Sequence, residues 1–566
     1  MRTRFLKYSL MCTTWLTMCI PNICLAQDIN CAWAKQSLNG LEDEYIDNME
    51  VDNYGNIYIT GRYTGNFKLD TQTVTRWNAK VNGNHLIAKL KPSGELDWLK
   101  QIGGSEVKAI NINSISIDSN ENVYCSGDAS FISSSGALRI GDDFSIQAQR
   151  DSQISFLVKM DKTGVIVWAH DLMTLSQNKC QAVRVVVTSD AQIVLSGYIT
   201  GRTIFGNDTL QPIKDDAIFL ARADSNGQYL WADKIGSKII NSQITELKSN
   251  SKGDVFLSGA WEGDTLFIQD SILINPTSGG FGNLDRFISK YNANGVLKWL
   301  VREGGTKTDQ AGLLVTTDDG SVYSLSSVTG DVKINNEGID VSGPTMLLSK
   351  YGPNGEYILH KALSNGKDVT DFEGDEDALF VTWRYDVTNL KIGGLTLNHI
   401  AAADAGLAKL NLQGDVIWAH GFGNDYNDNI SCMAVAPNTN VLIAGYTNSG
   451  SLQFGSKKIT NTRSIFYNDF FIASIGSTLG VLDQADRNVI TVYPNPSSEY
   501  VFITWPTIIN VQIDISISDG LGREVTIPVS FENNGVQVDI KQLSAGIYFV
   551  QINTGSVRYT KKFIKE

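Results

Sequence analysis

The feature that most restricts this chain is a repeated strand–turn–strand module. "HLIAKLKPSGELDWLKQIGG" from His85 recurs as "SFLVKMDKTGVIVWAHDL" from Ser155, "IFLARADSNGQYLWADKIGS" from Ile218 and "RFISKYNANGVLKWLVREGG" from Arg286. "MLLSKYGPNGEYILHKAL" from Met346 and "AGLAKLNLQGDVIWAHGFG" from Ala405 complete the set. Each copy reads as an apolar strand, a polar turn and a second strand. Gly94, Gly164, Gly227, Gly295, Gly355 and Gly414 supply the turns, where glycine adopts positive φ without a Cβ clash. Four residues further stands Trp98, Trp168, Trp231, Trp299, Leu359 or Trp418.

A second conserved-looking half precedes each module. "MEVDNYGNIYITGRYTG" from Met49 resembles "MAVAPNTNVLIAGYTNSG" from Met433 and five stretches between them. Each unit therefore holds four antiparallel strands, the form of a β-propeller blade. Front halves begin near Asn48, Ile110, Ala182, Gln243, Gly312, Val369 and Ile430, so there are seven. Complete back halves number only six, because the last unit stops after "DFFIASIG" from Asp469. The missing strand is "INCAWAKQ" from Ile29, with Trp33 in the tryptophan place. Joining it to the last unit removes an open strand edge and covers an apolar face. Trp33, Trp98, Trp168, Trp231, Trp299 and Trp418 are read as packing residues buried between neighbouring blades.

Short alternating patterns inserted between the second and third strands read as hairpins, from "FKLDTQTV" at Phe67 to "LQFGSKKI" at Leu452. They are expected to crown one face of the disc, as blade extensions or as a recognition face. The expected fold is all-β: a seven-bladed β-propeller closed by an N-terminal strand, followed by a small Ig-like β-sandwich. Its divisions are a signal peptide at 1–26, the propeller at 27–476, a linker at 477–489 and the terminal domain at 490–566.

Composition agrees. Glycines number 51 and charged residues are only 19%, which suits many turns and strands. Net charge is −13, and without residues 1–26, which hold Arg2, Arg4, Lys7 and no acid, the balance is 44 basic against 60 acidic residues. Nucleic acid is not an expected partner, since binding it needs a basic surface. "MRTRFLK", an apolar run and "CLA" before Gln27 form the export signal. The run is too short to span about 30 Å of hydrocarbon, so no transmembrane segment is expected in the mature form. Cys31, Cys125, Cys180 and Cys432 remain after it, scattered unlike a disulfide framework. A Cys31–Cys432 bridge stays open, because both fall in the closing blade.

The units resemble bacterial β-propeller repeat proteins of the SBBP type, with "NIYITG" and "IAKLKPSGELDW" in the places of that family's strand pairs. Leu359 and Trp383 depart from the pattern in the fifth and sixth units. The back half also looks like the repeat of quinone-dependent alcohol dehydrogenases, without the polar cluster that holds their quinone. The chain end resembles the C-terminal sorting domain of the Bacteroidetes type IX secretion system, in "VYPNPSSEYVFI", "ISDGLGREV" and "IKQLSAGIYFVQINTGSVRYTKKFIKE". The matching positions are Tyr493, Pro494, Asn495, Pro496, Gly522, Leu543, Gly546, Tyr548, Lys562 and Phe563. That resemblance implies handling by the type IX machinery and its sortase, and delivery to the outer-membrane surface or beyond. It also implies removal of the domain, often with attachment to surface lipopolysaccharide.

Chemistry is sparse. No nucleophile elbow, phosphate loop or H-E-x-x-H is present. His170, His360 and His420 sit in different units and do not suggest a metal site. No catalytic residue, metal or cofactor is assigned. The reading is an exported binding or interaction protein for an extracellular glycan or protein. The alternative is a lyase, hydrolase or quinone-dependent oxidoreductase with a site at the central channel.

Overall fold

A computed structural model describes residues 29–476 and 491–565, apart from 39, 41, 78–83, 105, 133–135, 143, 148–152, 176–178, 215, 238–241, 276–283, 306–311, 335–336, 365–367, 401, 438–439, 462–465, 494, 496, 505–513, 520–522, 526, 528, 533–534 and 554–557. The expected signal and linker lie outside the described residues, as do Pro494, Pro496 and Gly522.

Among the described residues, seven four-stranded antiparallel units follow one another. The first comprises Glu44–Val51, Ile57–Tyr63, Asn84–Leu90 and Leu96–Gly103. The innermost strands of the next five are Val107–Ile117, Lys179–Val187, Ser242–Ser249, Leu313–Thr316 and Asp368–Gly374. The seventh unit is Asp428–Val435, Val441–Thr447, Asp469–Gly476 and, outermost, Asn30–Gln36. Its closing strand runs antiparallel to the third, with Trp33 opposite Ser474 and Gln36 opposite Phe471. The orphan N-terminal strand thus completes the last unit.

Each pair of neighbouring sheets shares an apolar core. Ile46, Ile59 and Ala88 of unit 1 pack with Ala434, Ala444 and Ile472 of unit 7. Phe380 and Phe422 of unit 6 pack with Ile443 and Phe471 of unit 7. Five similar cores join the remaining neighbours, so every sheet is covered on both faces. A sheet buried on both faces explains near-continuous apolar runs such as "HLIAKL". The arrangement is a β-propeller.

One local device recurs along the inner strands. In six units the innermost strand slips register by one residue, between Ile46 and Asn48, Ile112 and Ser114, Ala182 and Arg184, Ile244 and Glu246, Val369 and Asp371, and Ile430 and Cys432. Such bulges re-aim side chains. They also push a carbonyl against the second strand. A Cβ at Gly61, Gly127, Gly197, Gly259 or Gly445 would overlap the carbonyl oxygen of Tyr45, Asn111, Gln181, Gln243 or Asn429. At these five positions only glycine leaves that room. A third-strand aromatic lies over it, Phe156 over Gly127, Phe219 over Gly197 and Phe287 over Gly259.

Unit 6 reverses this pair. Trp383 occupies the glycine place and is fully buried, while its third-strand partner is Gly406, whose Cβ would overlap the indole. The departure at Trp383 is therefore a large-for-small exchange across one strand pair.

One expectation is corrected. Four of the inserted hairpins do not crown a face of the disc; they pair with the outer strand of the preceding unit. Ala137–Ile140 of unit 2 pairs with the outer strand of unit 1, Arg139 opposite Gly103. Thr265–Ile268 of unit 4 pairs likewise with unit 3, and Leu390–Ile392 of unit 6 with unit 5. In unit 5 the second and third strands, Val322–Ile334 and Glu337–Tyr351, extend continuously to form the hairpin and pair with unit 4. The outer strands are open edges, and pairing them satisfies backbone groups that would otherwise recruit another chain. The open question of a Cys31–Cys432 bridge is also answered: both thiols are free and buried. They occupy the outermost and innermost strands of one sheet, three spacings of about 4.8 Å apart, where a disulfide needs Cα atoms within about 7 Å.

The C-terminal residues form two four-stranded sheets. Val501, Ile503, Val536 and Val538 of one face Ile517, Tyr548, Val550 and Phe563 of the other across a shared core. This is the expected β-sandwich.

Candidate functional site

The innermost strands converge on a central cavity of about 170 Å³, lined from all seven units. The bulges put neighbouring residues such as Asp47 and Asn48, Asn113 and Ser114, and Thr370 and Asp371 onto its wall. Five carboxyls, Asp47, Glu50, Glu246, Asp371 and Glu373, face two cations, Arg184 and Lys248. Lys248 Nζ donates to Glu373 at 2.6 Å. Asp371 accepts the backbone N–H groups of Phe372 at 2.8 Å and Met433 at 2.7 Å. Arg184 donates to the carbonyls of Thr245, Asn113 and Val183.

Burial dominates the acid chemistry here. It pushes Glu50 up to about 8, against the pull of Lys248. Burial, with the neighbouring Glu373 charge, raises Asp371 to about 7. Burial also raises Asp47. Lys248 is lowered by burial but raised further by Glu373, Glu246 and Glu50, so it stays protonated. The wall is thus a partly protonated acid cluster holding one ammonium and one guanidinium. Among the described residues, no three His, Cys, Asp or Glu side chains group as metal ligands. The residues of this wall were not singled out from the sequence. Their only signal is polar side chains within first strands, as in "YIDNME" and "VTDFEG".

The tryptophans lie at the outer seams, away from the channel wall. The indole N–H of five of the six donates to a turn carbonyl of the following unit: Trp33 to Pro92, Trp98 to Lys162, Trp168 to Ser225, Trp231 to Ala293 and Trp299 to Pro353, all at 3.0–3.2 Å. The ring then lies over that turn's glycine; Gly94, Gly164, Gly295 and Gly355 each have an indole where a Cβ would project. These glycines are doubly required, since φ there is +76° to +81°. The five rings are half-buried rather than buried as expected; only Trp418 is buried. The turn it would reach does not exist in unit 7, whose third and fourth strands come from opposite chain ends. His170 packs on Trp168 at 4.8 Å, His360 beside Tyr357 and His420 on Phe422, in three separate units.

Of the motif residues in the terminal sandwich, Lys562 and Phe563 lie on the last strand, Arg558–Lys565. Asn495 bridges it, donating to the Lys562 carbonyl at 3.2 Å and accepting from Ile564 N–H at 2.8 Å. Tyr548 stacks on Phe563 at 5.5 Å and donates to the Ser544 carbonyl at 3.0 Å. Leu543 closes a turn on Ile540 and packs against the core. Gly546 begins the strand that holds Tyr548, and Tyr493 ends Thr491–Tyr493. Lys562 is exposed. Residues 491–566 match the family described as a secretion system C-terminal sorting domain. The tail is a sorting domain.

A sorting domain directs its carrier through type IX secretion, so this chain is delivered to the cell surface or the extracellular space. Residues 97–131, spanning the seam of units 1 and 2, match the β-propeller repeat family. The chain is 31% identical over 138 residues to the regulatory protein FlaEY of Caulobacter vibrioides, covering 24% of this chain and 14% of that one. Among solved structures it is similar to YCF48 bound to a D1 peptide, with a TM-score of 0.38 and 10% identity over 81% of this chain and 99% of that one. A DUF4221 member from Bacteroides vulgatus shows a TM-score of 0.29 and 11% identity, covering 63% and 92%.

Proposed function

We propose that the chain is a surface-displayed or secreted seven-bladed propeller that binds an extracellular ligand without transforming it. The signal at 1–26 starts export, the ring occupies 27–476, and 477–489 links it to the sorting domain at 490–566. The sorting domain engages the type IX machinery and its sortase, which cuts the linker and joins the ring to surface lipopolysaccharide. One observation carries the binding reading. The central cavity, about 170 Å³, falls below the roughly 300–1,000 Å³ of small-molecule sites, and Lys248, Glu373 and Asp371 on its wall are already engaged by protein groups. Recognition then belongs to the outer surface.

A second reading has its own support. Carboxyls held neutral near pH 7 beside ionised neighbours, as at Glu50 and Asp371, are the pattern of a general acid–base pair. The test is a tagged full-length chain expressed in a bacterium with the type IX system, followed by protease shaving of whole cells. Wild type should be cleaved at the surface, and a chain lacking 491–566 should be protected in the periplasm. Surface-binding capacity should survive Glu50→Gln with Asp371→Asn; its loss, with loss of a measured turnover, establishes the central site instead.

A further inference from the structure

The closing strand Asn30–Gln36 has an outer edge that its own sheet does not use. Ser37 N–H donates to the Phe470 carbonyl at 3.0 Å, continuing the ladder to the third strand of unit 7. Backbone groups alternate in direction along an antiparallel strand, so Ala34, Gln36 and Leu38 present theirs to the rim. Leu38 is paired there, exchanging two backbone hydrogen bonds with Lys68 of the unit 1 hairpin at 2.9 and 2.7 Å. The hairpin residue in line with Gln36 would be Asp70, which turns away with a φ of +51°. Among the described residues, Ala34 and Gln36 have no backbone partner on that side. A cleft of about 340 Å³ lies there, lined by Ala34, Gln36, Leu38, Asp70, Lys458 and Thr460 with their neighbours. That volume is within the roughly 300–1,000 Å³ of ligand sites. The Gln36 side-chain amide already donates to the Thr460 carbonyl and accepts from Thr460 N–H, both at 2.9 Å, as a passing strand would. Lys35 is bound by Asp70, but Lys458 has no ion pair among the described residues and is exposed, as are Lys68 and Lys457 on the flanking hairpin strands.

We propose that this cleft takes an extended acidic peptide as an added strand on the open edge of the closing strand, a reading that rests on and deepens the binding function above. The edge from Ala34 to Leu38 spans about 13 Å, room for a strand of about four residues. Unpaired N–H and C=O groups select another backbone, because main-chain hydrogen bonds supply the affinity in strand addition. The exposed ammoniums of Lys68, Lys457 and Lys458 select carboxylate side chains on that strand, although the whole chain carries −13. A neutral polysaccharide has no main-chain amides with which to continue the ladder.

The test is fluorescence anisotropy of the secreted protein with three labelled hexapeptides: TEVEVT, its basic counterpart TKVKVT, and TEVEVT carrying N-methyl groups on its four central residues. The acidic peptide should bind, and the basic and N-methylated peptides should bind at least about tenfold more weakly. Ala34→Pro removes an outward N–H that takes no part in the ladder to unit 7, and should weaken the acidic peptide about fivefold. Lys458→Glu, at an exposed position, should weaken it about tenfold with the melting temperature unchanged, and it carries the test if the proline variant fails to fold. No binding of the acidic peptide, equal binding of its N-methylated form, preference for the basic peptide, or unchanged binding in Lys458→Glu overturns the proposal, and leaves a ring that binds through another part of its surface. Cleavage of a peptide into fragments, read by mass spectrometry, instead overturns the reading that the ring does not transform its ligand, whichever surface holds the peptide.

Discussion

The seam between units 7 and 1 and the seam between units 5 and 6 solve one problem differently. At the first, Trp33 covers Gly94 and donates to the Pro92 carbonyl. At the second, Leu359 stands in the tryptophan place and has no N–H to give. The equivalent carbonyl, Leu412, is instead reached at 2.9 Å by the hydroxyl of Tyr323, from the second strand of unit 5. Gly414 is covered there by Leu348 and Lys361. The turn carbonyl must be satisfied and the glycine covered, but no particular side chain is required to do either. The Trp383–Gly406 exchange teaches the same lesson inside a sheet. Total volume across the strand pair is kept while its distribution is inverted.

The largest effect should come from removing the room that a bulge needs. Gly197→Ala puts a Cβ into the Gln181 carbonyl, and the cost should be about 3 kcal/mol or more. Gly450→Ala, with nothing within 4 Å, should be nearly neutral. Urea midpoints followed by tryptophan fluorescence decide it; equal midpoints would undo the bulge argument.

Next is the exchange in unit 6. Trp383→Gly should cost about 3–5 kcal/mol by leaving a cavity. Adding Gly406→Phe should recover at least about 1 kcal/mol of it, visible as non-additivity in a double-mutant cycle. An additive result would show that the two positions do not share space.

The two seams can then be compared directly. Trp33→Ala removes a half-buried ring and a hydrogen bond, and should cost about 2 kcal/mol. Tyr323→Phe removes only the donor to Leu412, and should cost about 1 kcal/mol. A larger loss at Tyr323 would reverse the ranking of ring cover over hydrogen bond.

The remaining effect is read as a slope with pH rather than as a loss at one pH. Glu50 at about 8 and Asp371 at about 7 hold protons in the folded chain that the unfolded chain releases near pH 4. The folded state binds more protons in that window, so this stability is present below about pH 4 and is lost as pH rises through 7–8. Glu50→Gln should flatten the decline in urea midpoint between pH 5 and 8.5; an unchanged slope would place the decline elsewhere.

Much of the ring was legible because its signals are local. A turn glycine needs positive φ, a two-sided sheet needs apolar runs, and a unit short of one strand needs that strand from elsewhere. The site was far less legible. Asp47, Lys248 and Glu373 are separated by long stretches of chain and meet only because successive innermost strands converge on one channel. Nothing in "LKSN" or "DFEG" alone distinguishes a channel wall from a solvated strand face. The four hairpins on outer edges differ from the expected face for a related reason. Their alternation reveals a strand pair, but its partner is the outer edge of another unit, which periodicity does not encode.

Sequence alone determined the strand count per unit, the loan of Asn30–Gln36 to the last sheet and the identity of the tail. Each follows from backbone geometry or from motifs contained in short segments. Tertiary structure alone decided the distance between Cys31 and Cys432, the outer-strand pairing of four hairpins and the acid cluster of the channel. Those depend on which distant strands lie side by side, and burial shifts a carboxyl only after the surrounding chain has excluded water from it.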